Sequence, residues 1–188
     1  MSASNVGKWD GWYGGIDPKN PGAFRYGETV TYLMAAAFMV DVGTVEDWGC
    51  GAGGFKRFYR GNYIGVDGSK TPIADKVVDL CMYTSSVDGI VMRHVLEHNY
   101  DWDKILDNAI ASFRKKLCLI LFTPFVDATH EIAHNREHGI DAPDMAFSRA
   151  DIEMRFDRAA IWGQRRELYA DIPTATGYGV EHVYFIWR

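Results

Sequence analysis

The stretch Val45-Glu46-Asp47-Trp48-Gly49-Cys50-Gly51-Ala52-Gly53-Gly54 decides how this chain is read. An apolar strand runs into an acidic residue, glycines follow at every second position (Gly49, Gly51, Gly53), and a helix is expected after them. Glycines in that order leave the main chain bare, so a large anionic or zwitterionic ligand can come close to it. Twenty residues after Asp47, Tyr63-Ile64-Gly65-Val66-Asp67 reads as a second short strand closing on a carboxylate. A carboxylate placed there can accept both hydrogen bonds of a ribose diol. Together the two segments describe a nucleoside-binding α/β half-fold.

The glycine order narrows the ligand. Dinucleotide sites carry G-x-G-x-x-G, which makes room for a pyrophosphate at a helix N-terminus. Here the order is D-x-G-x-G-x-G, with the acid first. It resembles the first motif of class I S-adenosylmethionine-dependent methyltransferases. The resemblance implies a Rossmann-like α/β fold: a mostly parallel sheet with an antiparallel C-terminal strand pair and helices on both faces. It also implies S-adenosyl-L-methionine as cofactor. Asp47, Gly49, Gly51 and Gly53, with Cys50 among them, would line the methionine and ribose, and Asp67 with Gly68 would take the diol. Asp79-Leu80, at the end of a third strand Lys76–Leu80, stands where the family presents an acid or amide to the adenine amino group. The turn Arg93-His94-Val95-Leu96 stands beside adenosine.

The rest of the chain follows the same order. A helix is expected over Glu28–Asp41 and a fourth strand over Val87–Met92. Asp101–Lys116 is amphipathic, with Trp102, Ile105, Leu106, Ala109, Ile110 and Phe113 on one face and acids at its start, as the helix dipole favours. Leu117–Phe122 is a continuous apolar run, hence a strand covered on both faces. The crossover Gly68–Asp75 contains Pro72 and is too short for a full helix. A helix over Phe147–Phe156 capped by Ser148 precedes two long strands, Ala159–Ile172 and Val180–Trp187. One domain over 1–188 is expected, with 28–188 as its core. Residues 1–27 then form an anchor or a lid, carrying Trp9, Trp12, Tyr13 and the Phe24-Arg25-Tyr26 edge.

Composition restricts the function classes. The chain has 188 residues, 47% of them hydrophobic, and a net charge of −5, ordinary for one soluble domain. No apolar run is long enough to span a membrane, and no secretory signal is visible. Cys50, Cys81 and Cys118 are scattered and read as reduced thiols of a cytoplasmic protein. The basic clusters, Arg114-Lys115-Lys116 and Arg165-Arg166, are too small to form the stripe that nucleic-acid binders use. The expected acceptor is therefore a small molecule or saccharide, with O-methylation as the reaction. Nucleic-acid 2′-O-methylation, a non-catalytic cofactor-binding module and a nicotinamide oxidoreductase are the alternatives.

Five of the six histidines fall beyond the fourth and fifth strands: His94, His98, His130, His134 and His138. In an open α/β sheet those segments lie at the ligand-binding edge. The run His94-Val95-Leu96-Glu97-His98 resembles the E-x-x-E-H segment of metal-dependent ubiquinone-pathway and small-RNA 2′-O-methyltransferases. That implies a divalent-cation set of Glu97, His98, His94 and His130 or His134, the last two following Thr123-Pro124. Histidine in place of the first Glu shifts preference from magnesium toward manganese, iron or zinc. The other readings are a metal-free site with His94 or His98 as general base, and a purely structural role. His130-Glu131-Ile132-Ala133-His134 also fits the H-E-x-x-H protease pattern, but Pro124, Gly139 and Pro143 leave room for a short helix at most.

Overall fold

The computed structural model describes residues 6–17, 19, 29–137, 139–159 and 166–188, the side chains of 166 and 167 excepted. The expectations placed on Phe24-Arg25-Tyr26, on the Glu28 helix start, on His138 and on a strand through 160–165 lie outside them.

A short helix α1 (Asp10–Tyr13) and helix α2 (Val30–Phe38) precede β1 (Thr44–Trp48). Then come β2 (Asn62–Asp67), β3 (Lys76–Val77) and β4 (Val87–Arg93). Helix α3 (Trp102–Ser112) runs into β5 (Phe113–Leu121), followed by the hairpin β6 (His130–Asn135) and β7 (Ala142–Ala146). Helix α4 (Arg149–Arg158), β8 (Arg166–Pro173) and β9 (Val180–Trp187) complete the fold. Seven strands form one sheet in the order β3-β2-β1-β4-β5-β9-β8, while β6 and β7 pair only with each other. Strands β1 to β5 run parallel, and β9 is antiparallel to both β5 and β8.

Burial explains this arrangement. Leu117 to Leu121 of β5 are all buried, as a strand covered on both faces requires. On one face, α3 and α4 pack Ile105, Leu106, Ile152 and Phe156 against Trp48, Met92 and Tyr184. On the other, α2 brings Ala35 and Met39 against Val45, Val91 and Phe185.

Two expectations are corrected. The glycine loop leads into a single 3-10 turn, Phe55–Arg57, not a helix. The loop uses residues up to Gly54, leaving only seven before β2, and Phe55 is buried at once under α2. Helix α3 ends at Ser112 because Phe113 is already extended (φ −79°, ψ 143°) and paired with Val87. Arg114 and Lys115 thus sit on a strand and pair with Asp88, not with a helix terminus. His130–Asn135 is extended because β7 offers it a ladder, His130 opposite Ala146 and His134 opposite Pro143.

No helix joins β3 to β4; residues 78–86 cover the sheet there as irregular chain. The buried Glu46 carboxylate organises that cover. It accepts from Trp48 Nε1 (2.9 Å), Lys76 Nζ (2.8 Å), Tyr83 Oη (2.9 Å) and Ser85 Oγ (2.8 Å). A buried carboxylate with every lone pair used is tolerable, but donors that lose their acceptor are costly. Glu46→Leu should lower unfolding free energy by roughly 2–4 kcal/mol. Lys76→Met, which removes a half-exposed partner, should cost less than about 1 kcal/mol. Urea denaturation of both variants checks the contrast.

Candidate functional site

A cleft opens off the carboxyl ends of β1, β2 and β4, and the glycine loop forms its floor. Gly49 has φ +76°, and a Cβ there would stand 2.3 Å from Val95 Cγ2, so only glycine fits. Its N–H and that of Cys50 donate to Val66 O at 2.8 and 3.1 Å, locking the loop against β2.

Asp67, at the end of β2, is buried and accepts from Gly51 N (2.9 Å) and Ser69 N (2.8 Å). One carboxylate therefore fixes both the glycine loop and the turn after β2. Burial, opposed by those N–H donors, pushes the Asp67 carboxyl up to about 6. The N-terminal segment builds on the same turn. Gly7 N donates to Gly68 O (2.7 Å), Trp9 N to Ser69 Oγ (2.8 Å), and Lys70 N to Asp10 Oδ1 (2.8 Å). Lys8 Nζ reaches His98 O at 3.0 Å, and Trp9 meets the His98 ring edge-on at 4.9 Å. Lys8, Trp9 and Tyr13 thus form one wall of the cleft.

The opposite wall is a buried charged network. Arg93 lies over the Tyr32 ring (4.2 Å), donates from Nε to Thr31 Oγ1 (3.1 Å) and pairs with Glu181 at 2.8 Å. His94 Nε2 is 2.5 Å from the same Glu181 oxygen. Its φ of +58° is one that side chains other than glycine rarely adopt, and His94 N–H holds it there by donating to Ile120 O (3.0 Å). Burial holds the His94 imidazole down at about 4, so it is neutral at pH 7. His98 directs Nδ1 to Pro143 O (3.1 Å) and Asp144 (3.2 Å). Each ring engages one nitrogen with an acceptor oxygen, and in neutral His94 the other nitrogen keeps a lone pair.

Of the residues singled out in the sequence, Gly49, Cys50, Gly51, Asp67, Gly68, Leu80, Arg93, His94 and His98 line the cleft. Asp47, Gly53 and Asp79 do not. Asp47 is buried beneath the loop with Tyr63 Oη at 2.9 Å, and burial pushes its carboxyl up to about 7. Gly53 packs on Ile73, and Asp79 accepts from Cys81 N in its own turn (2.9 Å). Cys50 is buried and its thiol is pushed up, hence unreactive.

The expected cation set does not converge. Glu97 is fully buried and spends Oε1 on Phe122 N (2.6 Å), away from the cleft lining. His130 is exposed and bonds Ala128 O (2.7 Å); His134 is held between Glu131 and Asp141 on the hairpin. Among the described residues no three His, Cys, Asp or Glu side chains are placed to hold a metal ion. Also among them, no helix is long and apolar enough to cross a membrane. The sequence reading missed Tyr32, Glu181, Lys8 and Phe122, all of which belong to the site. Only Glu181 left a signal: a lone acid near the start of a mostly apolar strand.

No protein-family model and no curated protein sequence matches the chain. Solved structures do. Magnesium protoporphyrin IX methyltransferase from Synechocystis with bound SAM is similar with a TM-score of 0.59 at 16% identity, over 85% of this chain and 79% of that one. The N-terminal domain of EvdMO1, in the presence of SAH and D-fucose, gives 0.59 at 10% identity over 91% and 93%. A SAM-dependent methyltransferase from Methanosarcina mazei gives 0.57 at 13% identity over 82% and 96%. The chain has the Rossmann-like class I methyltransferase fold.

If the ionised Asp67 carboxylate accepts a ribose diol, affinity for S-adenosylhomocysteine should hold above pH 6 and fall as pH drops through about 6, where that carboxyl protonates. Asp67→Asn should bind at least about tenfold more weakly, a charged-acceptor hydrogen bond being worth 1.5–3 kcal/mol. Its affinity should be flat across the same range. Isothermal titration from pH 5 to about 8 tests both.

Proposed function

We propose that this chain is an S-adenosylmethionine-dependent methyltransferase that methylates a hydroxyl of a small molecule or saccharide, with His94 as the proton acceptor. One observation carries the reading. The glycine loop and Asp67 form one part of a cleft whose other part presents two imidazoles, His94 and His98.

The chemistry follows from that pairing. The acceptor oxygen attacks the sulfonium methyl in line; an O–C bond forms, the C–S bond breaks, and its electron pair neutralises sulfur. The hydroxyl proton leaves to His94 Nδ1 and from there to water. The protein's main contribution is to hold oxygen, carbon and sulfur near collinear contact, at roughly 3–3.5 Å. A positioned base adds roughly 100- to 10,000-fold. Neutral His94 suits this role: its lone pair is available, and it adds no positive charge beside a sulfonium.

Charge and aromatic lining bear on the acceptor class. The −5 net charge and the small basic clusters favour a small acceptor over nucleic acid. Trp9, Tyr13 and Phe122 supply aromatic faces of the kind that pack on sugar rings or aromatic acceptors. The EvdMO1 domain, crystallised in the presence of D-fucose, and mitomycin 7-O-methyltransferase are structural neighbours consistent with hydroxyl acceptors. A cation-assisted version would need the donors near Glu97 and His98 to rearrange.

The test uses methyl-tritiated cofactor with methyl glucoside, D-fucose and catechol as hydroxyl probes, with and without EDTA. Transfer that survives EDTA is expected; loss restored by one divalent ion would favour the cation-assisted version. His94→Asn should lower transfer by at least about 100-fold while S-adenosylhomocysteine binds within about threefold of wild type. Absence of cofactor binding by the wild-type protein would overturn the assignment.

A further inference from the structure

We infer that Glu181 is the positioning residue of this site, fixing the tautomer and orientation of His94 from antiparallel strand β9, on the far side of β5. The inference rests on the methyltransferase reading and adds to it a residue remote from both cofactor motifs in sequence.

Glu181 lies near the start of β9, is fully buried, and has no role in packing that an apolar side chain would not fill better. Its neighbours on the same face, Val183 and Phe185, join the apolar cluster under α2. A carboxylate kept at such a position is costly unless its oxygens are all engaged. They are. One takes both His94 Nε2 (2.5 Å) and Arg93 (2.8 Å), and the other accepts from Thr31 Oγ1 at 3.1 Å. Thr31, itself buried on α2, accepts in turn from Arg93 Nε at 3.1 Å. Three elements that are far apart in sequence, α2, β4 and β9, therefore meet at one carboxylate.

An ionised carboxylate can only accept, so the proton on His94 must sit on Nε2 and the lone pair on Nδ1. A base oriented by a buried carboxylate is the arrangement in which that third group sets which nitrogen is available. Here the same contact also helps hold His94 at its unfavourable φ of +58°. Two features argue that it serves orientation more than charge. Arg93 already balances Glu181, and the Phe122 ring, 4.6 Å from the imidazole centroid, limits how the ring can tilt. Because Tyr32 follows Thr31 and stacks on Arg93, the network also positions the aromatic side chain above Gly54 of the glycine loop.

Nitrogen-15 spectra of histidine-labelled protein read the tautomer directly. In the wild type, His94 should be the Nε2–H form; the Nδ1–H form would overturn the inference whatever any variant does. Glu181→Met keeps the volume and removes both oxygens. It should give mixed tautomers at His94 and cut methyl transfer to the hydroxyl probes by at least about tenfold more than it weakens S-adenosylhomocysteine binding. Glu181→Gln, which retains one acceptor oxygen, should restore the tautomer and most of the rate. A Glu181→Met protein with the wild-type transfer rate would sink the role. A wild-type protein that binds no S-adenosylhomocysteine would instead sink the cofactor reading, leaving the His94 spectrum to decide the Glu181 contact independently.

Discussion

The site depends on one interaction: the buried Asp67 carboxylate accepting from Gly51 N and Ser69 N. The glycine loop and the turn after β2 meet at this carboxylate, and the chain after the loop makes only one turn of 3-10 helix. A carboxylate can hold two orphan N–H groups at once, and in a dry setting each such bond is stronger than in water. The N-terminal segment then closes onto the same turn through Gly68 O and Ser69 Oγ. Removing the carboxylate would loosen floor and wall together, so binding and local order at this edge are coupled.

Much of the fold was legible because it follows from patterns with a physical period. The run Leu117 to Phe122 and the stripe from Trp102 to Phe113 identified the central strand and its covering helix, and the two C-terminal strands fell beside them. What failed were boundaries where local pattern and pairing compete. Phe113 continues a helical stripe by spacing, yet its partner Val87 draws it into β5. His130 to His134, where the sequence left room for a short helix at most, lies on a strand because β7 offers it a ladder. In both cases strand pairing decided the local structure: with a strand across a helix at Phe113, with the next strand of a hairpin at His130.

The same logic explains why histidines clustered in sequence do not cluster in space. His94 and His98 leave β4 on a tight turn directly above the sheet edge, so the cleft receives them. His130 and His134 leave β5 after a longer excursion, and the hairpin spends their nitrogens on Ala128 O, Glu131 and Asp141. Glu97, the residue most suggestive of a metal ligand, was drawn under the turn instead. Its carboxylate accepts the Phe122 N–H at the end of β5, a structural use no local motif could announce. Two of the residues that sequence reading overlooked, Tyr32 and Glu181, come from α2 and β9, which carry no cofactor motif, and only tertiary packing brings them to the site.

Electrostatics tie these pieces together. A sulfonium cofactor, as proposed, would bring positive charge to a cleft that already contains Lys8 and Arg93, so a further cation there would weaken binding. Burial keeps His94 neutral, Arg93 is balanced by Glu181, and Tyr32 offers its ring face to the guanidinium. Neutrality has a chemical consequence as well: an imidazole that stays unprotonated retains the lone pair that the hydroxyl proton needs. Its low basicity would be no handicap in the proposed transfer, because the acceptor oxygen would become acidic only as the methyl bond forms and would shed its proton then. The network therefore reconciles two demands that oppose each other in an isolated histidine, a free lone pair and a fixed direction for it.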